Sequence, residues 1–318
     1  MLSSEQSKIK SYFIGAIKDK SVRHAYILSG AGGLGKKHLA KEVCLAFACE
    51  KGEACGYCPS CLSAKKGANS DIFSLLRDDE KEYPIAEIRE LISQIHKKPN
   101  GEYKLIVIND AHLLNEKCQN ALLKTIEEPP SYAVFIFVCE NKLSLLPTVR
   151  SRALSLELHP WKEDEMKKAF PLEKDKEFLY SLSGGNPQTL LSAAADDEFI
   201  SLRDDAINSF VRLVWSDEFG VYDALTAWMS HKERISTMLD CLSLFLRDVL
   251  FYCFGQNESI SNTDKLKDIQ NIAKKISKRS ALLLAELVTR FIAERSKYDN
   301  LSMALETMFM HIKEEIND

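Results

Sequence analysis

No apolar run in this 318-residue chain reaches the length of a bilayer span; the greasiest stretch, Leu242 to Phe254, is broken by Arg247 and Asp248. Nor is a secretory leader expected, because Lys8, Lys10 and Lys18 interrupt the apolar positions near the N-terminus. There is little net charge: 46 acidic against 42 basic residues leave −4, with a pI near 6.0. That balance argues against a whole-chain electrostatic grip on nucleic acid and leaves room only for a local basic face. There is no internal repeat, no low-complexity segment and no compositional sign of disorder, since 45% of residues are hydrophobic and 28% charged. These absences lead us to expect a cytoplasmic globular protein of two or three domains, in which the nine cysteines are thiols or metal ligands and not disulfides.

What is present falls into two regions. Residues 25 to 158 alternate apolar runs with amphipathic stretches, the pattern of a parallel sheet with helices on both faces. The strand candidates are Ala25 to Leu28, Asp71 to Leu76, Lys104 to Ile108 and Ala133 to Cys139. Helices are expected over Ser4 to Ile17, Lys37 to Cys49, Pro84 to His96 and Asn115 to Glu127, the last capped by Asn115 and halted by Pro129-Pro130. The charge run Arg77 to Glu82 reads as a solvated loop. From Trp161 onward only helical periodicity remains, with a sharp turn at Ser183-Gly184-Gly185-Asn186-Pro187. Two apolar stripes stand out there, Leu239, Leu242, Leu246 and Leu250, then Leu301, Ala304, Leu305, Met308 and Ile312, and both read as packing surfaces. The expected division is 1–160, 161–203 and 204–318.

The chemistry concentrates at Gly30-Ala31-Gly32-Gly33-Leu34-Gly35-Lys36-Lys37. A glycine-rich bend between a buried strand and a helix, ending in lysine, cradles phosphates with its amides. Lys36 is placed to reach the β- and γ-phosphates of ATP or ADP. Lys37, however, stands where the motif calls for the Ser or Thr that holds magnesium. After the Lys104 to Ile108 strand, Asn109-Asp110 stands where a nucleotide hydrolase places a metal-binding aspartate and a water-activating glutamate. These departures point to a degenerate nucleotide site made of Gly30, Gly32, Gly33, Gly35, Lys36, Lys37 and Asp110, with capping of the next turn as Asp110's other reading.

Cys49, Cys55, Cys58 and Cys61 lie within a module of thirteen residues, 49–61, with Gly52, Gly56 and Pro59 supplying tight turns. Four thiolates at this spacing suit tetrahedral zinc with no open position, a structural staple and not a catalytic centre. Four unligated thiols and an iron–sulfur cluster are the alternatives.

His24-Ala25-Tyr26, the phosphate loop, the four cysteines, Asn120-Ala121-Leu122-Leu123-Lys124-Thr125-Ile126-Glu127-Glu128-Pro129-Pro130 and Arg150-Ser151-Arg152 together resemble the bacterial clamp-loader ATPases, the AAA+ subunits of the DNA polymerase III holoenzyme. The resemblance covers most of residues 1 to 190, and the Asn120 to Pro130 string is its most specific part. It implies an AAA+ P-loop module with a zinc insertion, a small helical lid and a C-terminal helical collar, the collar's last helix being similar at Asp299 to Glu306. Lys37, Asn109, Cys139-Glu140-Asn141 without a threonine, and Gln188 in place of a lid arginine are similar to a subunit that has given up hydrolysis. The implied partners are the gamma/tau and delta subunits, with the sliding clamp (beta) and primed DNA reached through the complex. Arg152 of Ser151-Arg152-Ala153 matches the arginine finger that such subunits insert into a neighbour's ATP site, although the family's cysteine after it is alanine here. The alternatives are an ATP-hydrolysing gamma/tau-like motor, and a zinc-dependent nucleic-acid-binding module, for which only Tyr57 offers stacking beside the cysteines.

Overall fold

The computed structural model describes residues 1–77, 81–216 and 220–317. Part of the Arg77 to Glu82 charge run, Asp78 to Glu80, therefore lies outside the described residues. The chain forms two compact units, 1–165 with 186–188, and 166–185 with 189–318.

In the first unit the elements run α1 (Ser4–Lys18), β1 (Ala25–Ser29), α2 (Lys36–Ala48), α3 (Pro59–Lys65), β2 (Ile72–Leu75), α4 (Ile85–Ile95), β3 (Lys104–Ile108), α5 (Glu116–Glu127), β4 (Ala133–Cys139), α6 (Pro147–Arg150) and β5 (Leu154–Glu157). All strand pairings are parallel, in the order β2-β3-β4-β1-β5. The three central strands, β1, β3 and β4, are buried at every position. Such continuous apolar runs are what a sheet covered on both faces requires.

Alternate residues of each strand feed opposite layers. Ala25, Ile27, Ile106, Ile108, Phe135 and Phe137 pack towards α4 and α5, meeting Ile88, Leu91 and Leu122. Tyr26, Leu28, Leu105, Val107, Val134 and Ile136 pack towards α1 and α2, meeting Phe13, Leu39 and Val43. The register sets Ser29 beside Cys139 and Ile108 beside Phe137. The segments that leave β3, β4 and β1 are consequently neighbours at the carboxyl edge, where doubly covered α/β sheets hold ligands.

The second unit is helical: α7 (Glu163–Ala169), shared with the first, then α8 (Phe178–Leu182), α9 (Pro187–Ala194), whose first two residues belong to the first, α10 (Phe199–Trp215), α11 (Gly220–Met229), α12 (Ile235–Cys253), α13 (Leu266–Lys275), α14 (Lys278–Glu294) and α15 (Leu301–Asn317). Leu239, Leu242, Leu246, Leu305, Met308 and Ile312 of the two expected stripes are buried, together with Phe245 and Phe309. Two polar anchors lie within this apolar interior. Arg203 is 2% exposed, stacks on Phe178 with its guanidinium carbon 3.9 Å from the ring centroid, and donates to Asn262 and Asp264. The fully buried Asp248 carboxylate accepts from the backbone N–H groups of Ser261 and Asn262 and from the Asn262 amide. No helix among the described residues is long and apolar enough to cross a membrane.

Candidate functional site: a degenerate phosphate loop, a four-cysteine knuckle and an exposed arginine

Strand β1 delivers the glycine bend at the centre of the sheet. Gly30, Gly33 and Gly35 have φ values of 144°, 78° and 84°, a region L side chains rarely adopt. Gly33 is also closed in by the Asn186 side chain, which donates to Gly32 O at 2.8 Å, while Gln188 N reaches Gly33 O at 3.4 Å. From α1, the buried Gln6 donates to Leu34 O at 2.7 Å, and a Cβ on Gly32 would stand 2.7 Å from Glu140 Oε1. The bend is thus fixed from α1, from the segment after β4 and from Asn186.

Lys36 opens α2 and is buried. Its ammonium donates to Gly30 O at 2.8 Å and Ala31 O at 2.7 Å. Two of its three protons are therefore spent on orienting the side chain within the loop. Burial lowers its pKa, opposed by the nearby charges of Glu140 and Asp110.

Lys37 Nζ lies 2.6 Å from Asp110 Oδ2. Asp110 adopts a left-handed backbone, φ 47°, and its side chain makes no capping hydrogen bond to the following 3-10 turn. The pair sets an ammonium at the helix start, where the motif calls for the hydroxyl that holds magnesium, against the residue that stands at the water-activating position. Asn109 points elsewhere: it is buried and donates to Ser74 Oγ at 3.1 Å and Leu75 O at 2.9 Å, while its own carbonyl accepts from Tyr83 at 2.6 Å. Asn109 thus ties β3 to the edge strand β2.

The four cysteines come together. The sulfurs of Cys49, Cys55, Cys58 and Cys61 lie within 4.8 Å of one another, and Cys55 Sγ is 3.9 Å from Cys61 Sγ. Tetrahedral zinc with Zn–S near 2.3 Å requires S···S separations of about 3.8 Å, so the donor set fits a metal ion of that kind. The turns need positive φ at Gly52, Ala54 and Gly56, and they aim backbone N–H groups at sulfur, Cys55 N to Cys49 and Cys61 N to Cys58. Burial opposes the Cys49 thiolate, but the N–H groups of Cys55, Glu53 and Lys51 outweigh it and bring the thiol to about 6. N–H groups of Glu50 and Cys61 lower Cys58, whereas burial pushes Cys61 up to about 12. The N–H groups thus favour the thiolate, the form that binds a metal, at Cys49 and Cys58.

Arg152 stands just beyond α6, on the surface. Its Nη1 donates to Thr148 O at 3.0 Å, and its Nη2 lies 2.9 Å from Glu127 Oε1 at the end of α5. The partners of Arg152 thus lie on α5, on α6 and in the residue that follows α6. Sequence reasoning did not single out Gln6, and it quoted Asn186, Glu140 and Glu127 only as parts of longer segments, with none of these contacts. Ser3 and Gln6 do carry a capping-box signature, realised here at the start of α1, but the reach of Gln6 to Leu34 is a tertiary contact with no local signal.

Residues 5–162 match the family described as DNA polymerase III, delta subunit, and residues 197–302 match its C-terminal counterpart. The chain belongs to this clamp-loader family. Among curated relatives of the family, DNA polymerase III subunit delta' of Pseudomonas aeruginosa is 33% identical over 185 residues, 52% of this chain and 54% of that one. The tau/gamma subunit of Haemophilus influenzae is 31% identical over 165 residues, 51% of this chain and 24% of that one. The chain thus spans between about a quarter and about half of the length of these two relatives. Among solved structures, a gamma subunit-related protein of Thermotoga maritima is matched over 98% of this chain and 100% of that one, at 17% identity and a TM-score of 0.44. A clamp-loader subunit of the delta' type fits these matches.

Proposed function

We propose that the chain is the non-hydrolysing, stator-like subunit of the bacterial clamp loader, assembled with gamma/tau and delta subunits to place the sliding clamp on primed DNA. The observation that carries this reading is the Lys37–Asp110 ion pair of 2.6 Å. An ammonium held where magnesium belongs disfavours the metal, and hydrolysis by this fold depends on that metal to neutralise charge developing on the phosphates. Asn109, engaged with β2, offers no anionic ligand to restore it. ATP or ADP would sit on the Gly30 to Lys36 loop as a static occupant.

The chemistry the subunit serves then lies in a neighbour. Arg152, exposed and held only by α5, α6 and Ser151, is the group to insert into an adjacent ATP site, where an arginine finger contributes roughly 10³ to 10⁵ in rate. Zinc is the metal we assign to Cys49, Cys55, Cys58 and Cys61, holding the 49–61 knuckle. The test has two arms. Purified chain alone is expected to show no magnesium-dependent ATP turnover, and turnover lost on Lys36→Ala would overturn the stator reading. In the complex reconstituted with gamma/tau and delta, Arg152→Ala is expected to depress clamp-dependent ATPase; an unchanged rate removes the finger.

A further inference from the structure

Glu127 has no role in the phosphate loop or the knuckle, yet it is the group that holds Arg152. Its carboxylate is the last residue of α5, with Glu128 following and Pro129-Pro130 ending the helix. A carboxylate in the last turn of a helix meets the negative end of the helix dipole, so it does nothing for the stability of α5 itself. What it gains is a cation: Arg152 Nη2 at 2.9 Å. The other terminal nitrogen, Nη1, is engaged by Thr148 O at 3.0 Å and Ser151 Oγ at 3.3 Å. Both terminal nitrogens are thus folded back on the subunit that owns them. A guanidinium grips a phosphate through two parallel N–H bonds, and Glu127 competes with the phosphate for one of the terminal nitrogens that would make them.

We propose that Glu127 is a latch on Arg152, holding the guanidinium against the negative end of α5 until a transferring phosphate on a neighbouring subunit draws it away. This rests on the reading of Arg152 as a group that acts in trans. The pair is built to yield: Arg152 is 39% exposed and Glu127 45%, so water screens their attraction, whereas a phosphate in a closed interface carries more charge in a drier place. Contact with Glu127 is lost when the finger engages, so the latch raises the barrier and leaves substrate binding unaltered. An exposed pair of this kind corresponds to about two- to fivefold in an equilibrium. Glu127 is therefore a positioning residue whose removal accelerates, the reverse of what loss of a supporting residue does.

The experiment uses the complex reconstituted with the ATP-hydrolysing and delta subunits, without clamp or DNA, and measures kcat and KM for ATP. Glu127→Gln keeps size and hydrogen bonding but removes the charge. It is expected to raise kcat by about two- to fivefold at unchanged KM. In the Arg152→Ala background the same change is expected to do nothing. Should Arg152→Ala depress the rate while Glu127→Gln leaves kcat level or lowers it, the latch is wrong and the finger stands. If Arg152→Ala itself has no effect, the finger and the latch fall together. A gain from Glu127→Gln that persists without Arg152 also overturns the latch, since it would come from α5 and not from the guanidinium.

Discussion

Replacing Lys37 with threonine is expected to make nucleotide binding depend on magnesium. Magnesium about 4 Å from the Lys37 ammonium would be repelled by roughly 8 kcal/mol at an effective dielectric of 20, or roughly 2 kcal/mol at that of water. The Lys37 side chain is 49% exposed, which favours the lower figure, and Asp110, 2.6 Å from the ammonium, returns part of it. What remains is a little over 1 kcal/mol, or about tenfold in Kd. Isothermal titration with ADP, in magnesium and in chelator, reads this directly. The unaltered chain is expected to bind no tighter with magnesium; Lys37→Thr supplies the missing hydroxyl, frees Asp110, and gains about tenfold on adding the metal. Tenfold tightening of the unaltered chain by magnesium would refute the reasoning. So would indifference of the Lys37→Thr variant to the metal, or failure of both chains to bind ADP, since the last would mean that Lys36 has no donor left for a phosphate.

Three further outcomes can be checked independently. Elemental analysis of purified protein is expected to find zinc bound one per chain, with Cys61→Ser losing it and with chelation exposing the 49–61 segment to protease; a metal-free chain with an intact knuckle would argue for unligated thiols. Lys104 is 3% exposed, donates to the Gln94 and Lys97 carbonyls at the end of α4 and lies over the Phe73 ring, so Lys104→Met is expected to cost about 2–4 kcal/mol in urea unfolding. His159 hydrogen-bonds Glu5 at 2.9 Å, which raises its pKa above the usual 6.5 first through that bond and then through charge. The pair's contribution to stability is accordingly full below pH 6.5 and fades as pH rises through the raised value; nuclear magnetic resonance titration of Glu5→Gln is expected to return His159 towards 6.5.

How much of this was legible without coordinates depended on the element. Strands β1, β3 and β4 announce themselves because burial on both faces demands unbroken apolar runs. Strand β5, Leu154–Glu157, alternates half-buried and exposed residues over only four positions at the sheet edge, too short a pattern to separate from a loop. Helix boundaries came within a residue where a cap or proline marks them, as at Asn115 and Pro129. The stripes of α12 and α15 could be read, but the adjoining Phe245 and Phe309 were not distinguished from them. At the site, the residue types at 36, 37, 109 and 110 carried the argument, because a motif fixes what should stand there. That Lys37 would find Asp110, or Arg152 find Glu127, depended on which strand ends and helix ends the topology sets side by side. No local spacing encodes that.

Asn109 has a consequence for anyone seeking to give this chain a working catalytic centre. Its amide bridges Ser74 Oγ and Leu75 O, so the residue now fastens the sheet's edge. Asn109→Asp would replace that donor by a carboxylate facing the Leu75 carbonyl, a loss of about 1–3 kcal/mol before any metal is bound. Changing Lys37 alone leaves Asn109 in place, and changing Asn109 alone leaves the ammonium in the way. On the stator reading proposed above, recovery of hydrolysis needs both changes, and the one at Asn109 weakens folding. On that reading the site is held less by the residues it lacks than by the structural work that Asn109 has taken up.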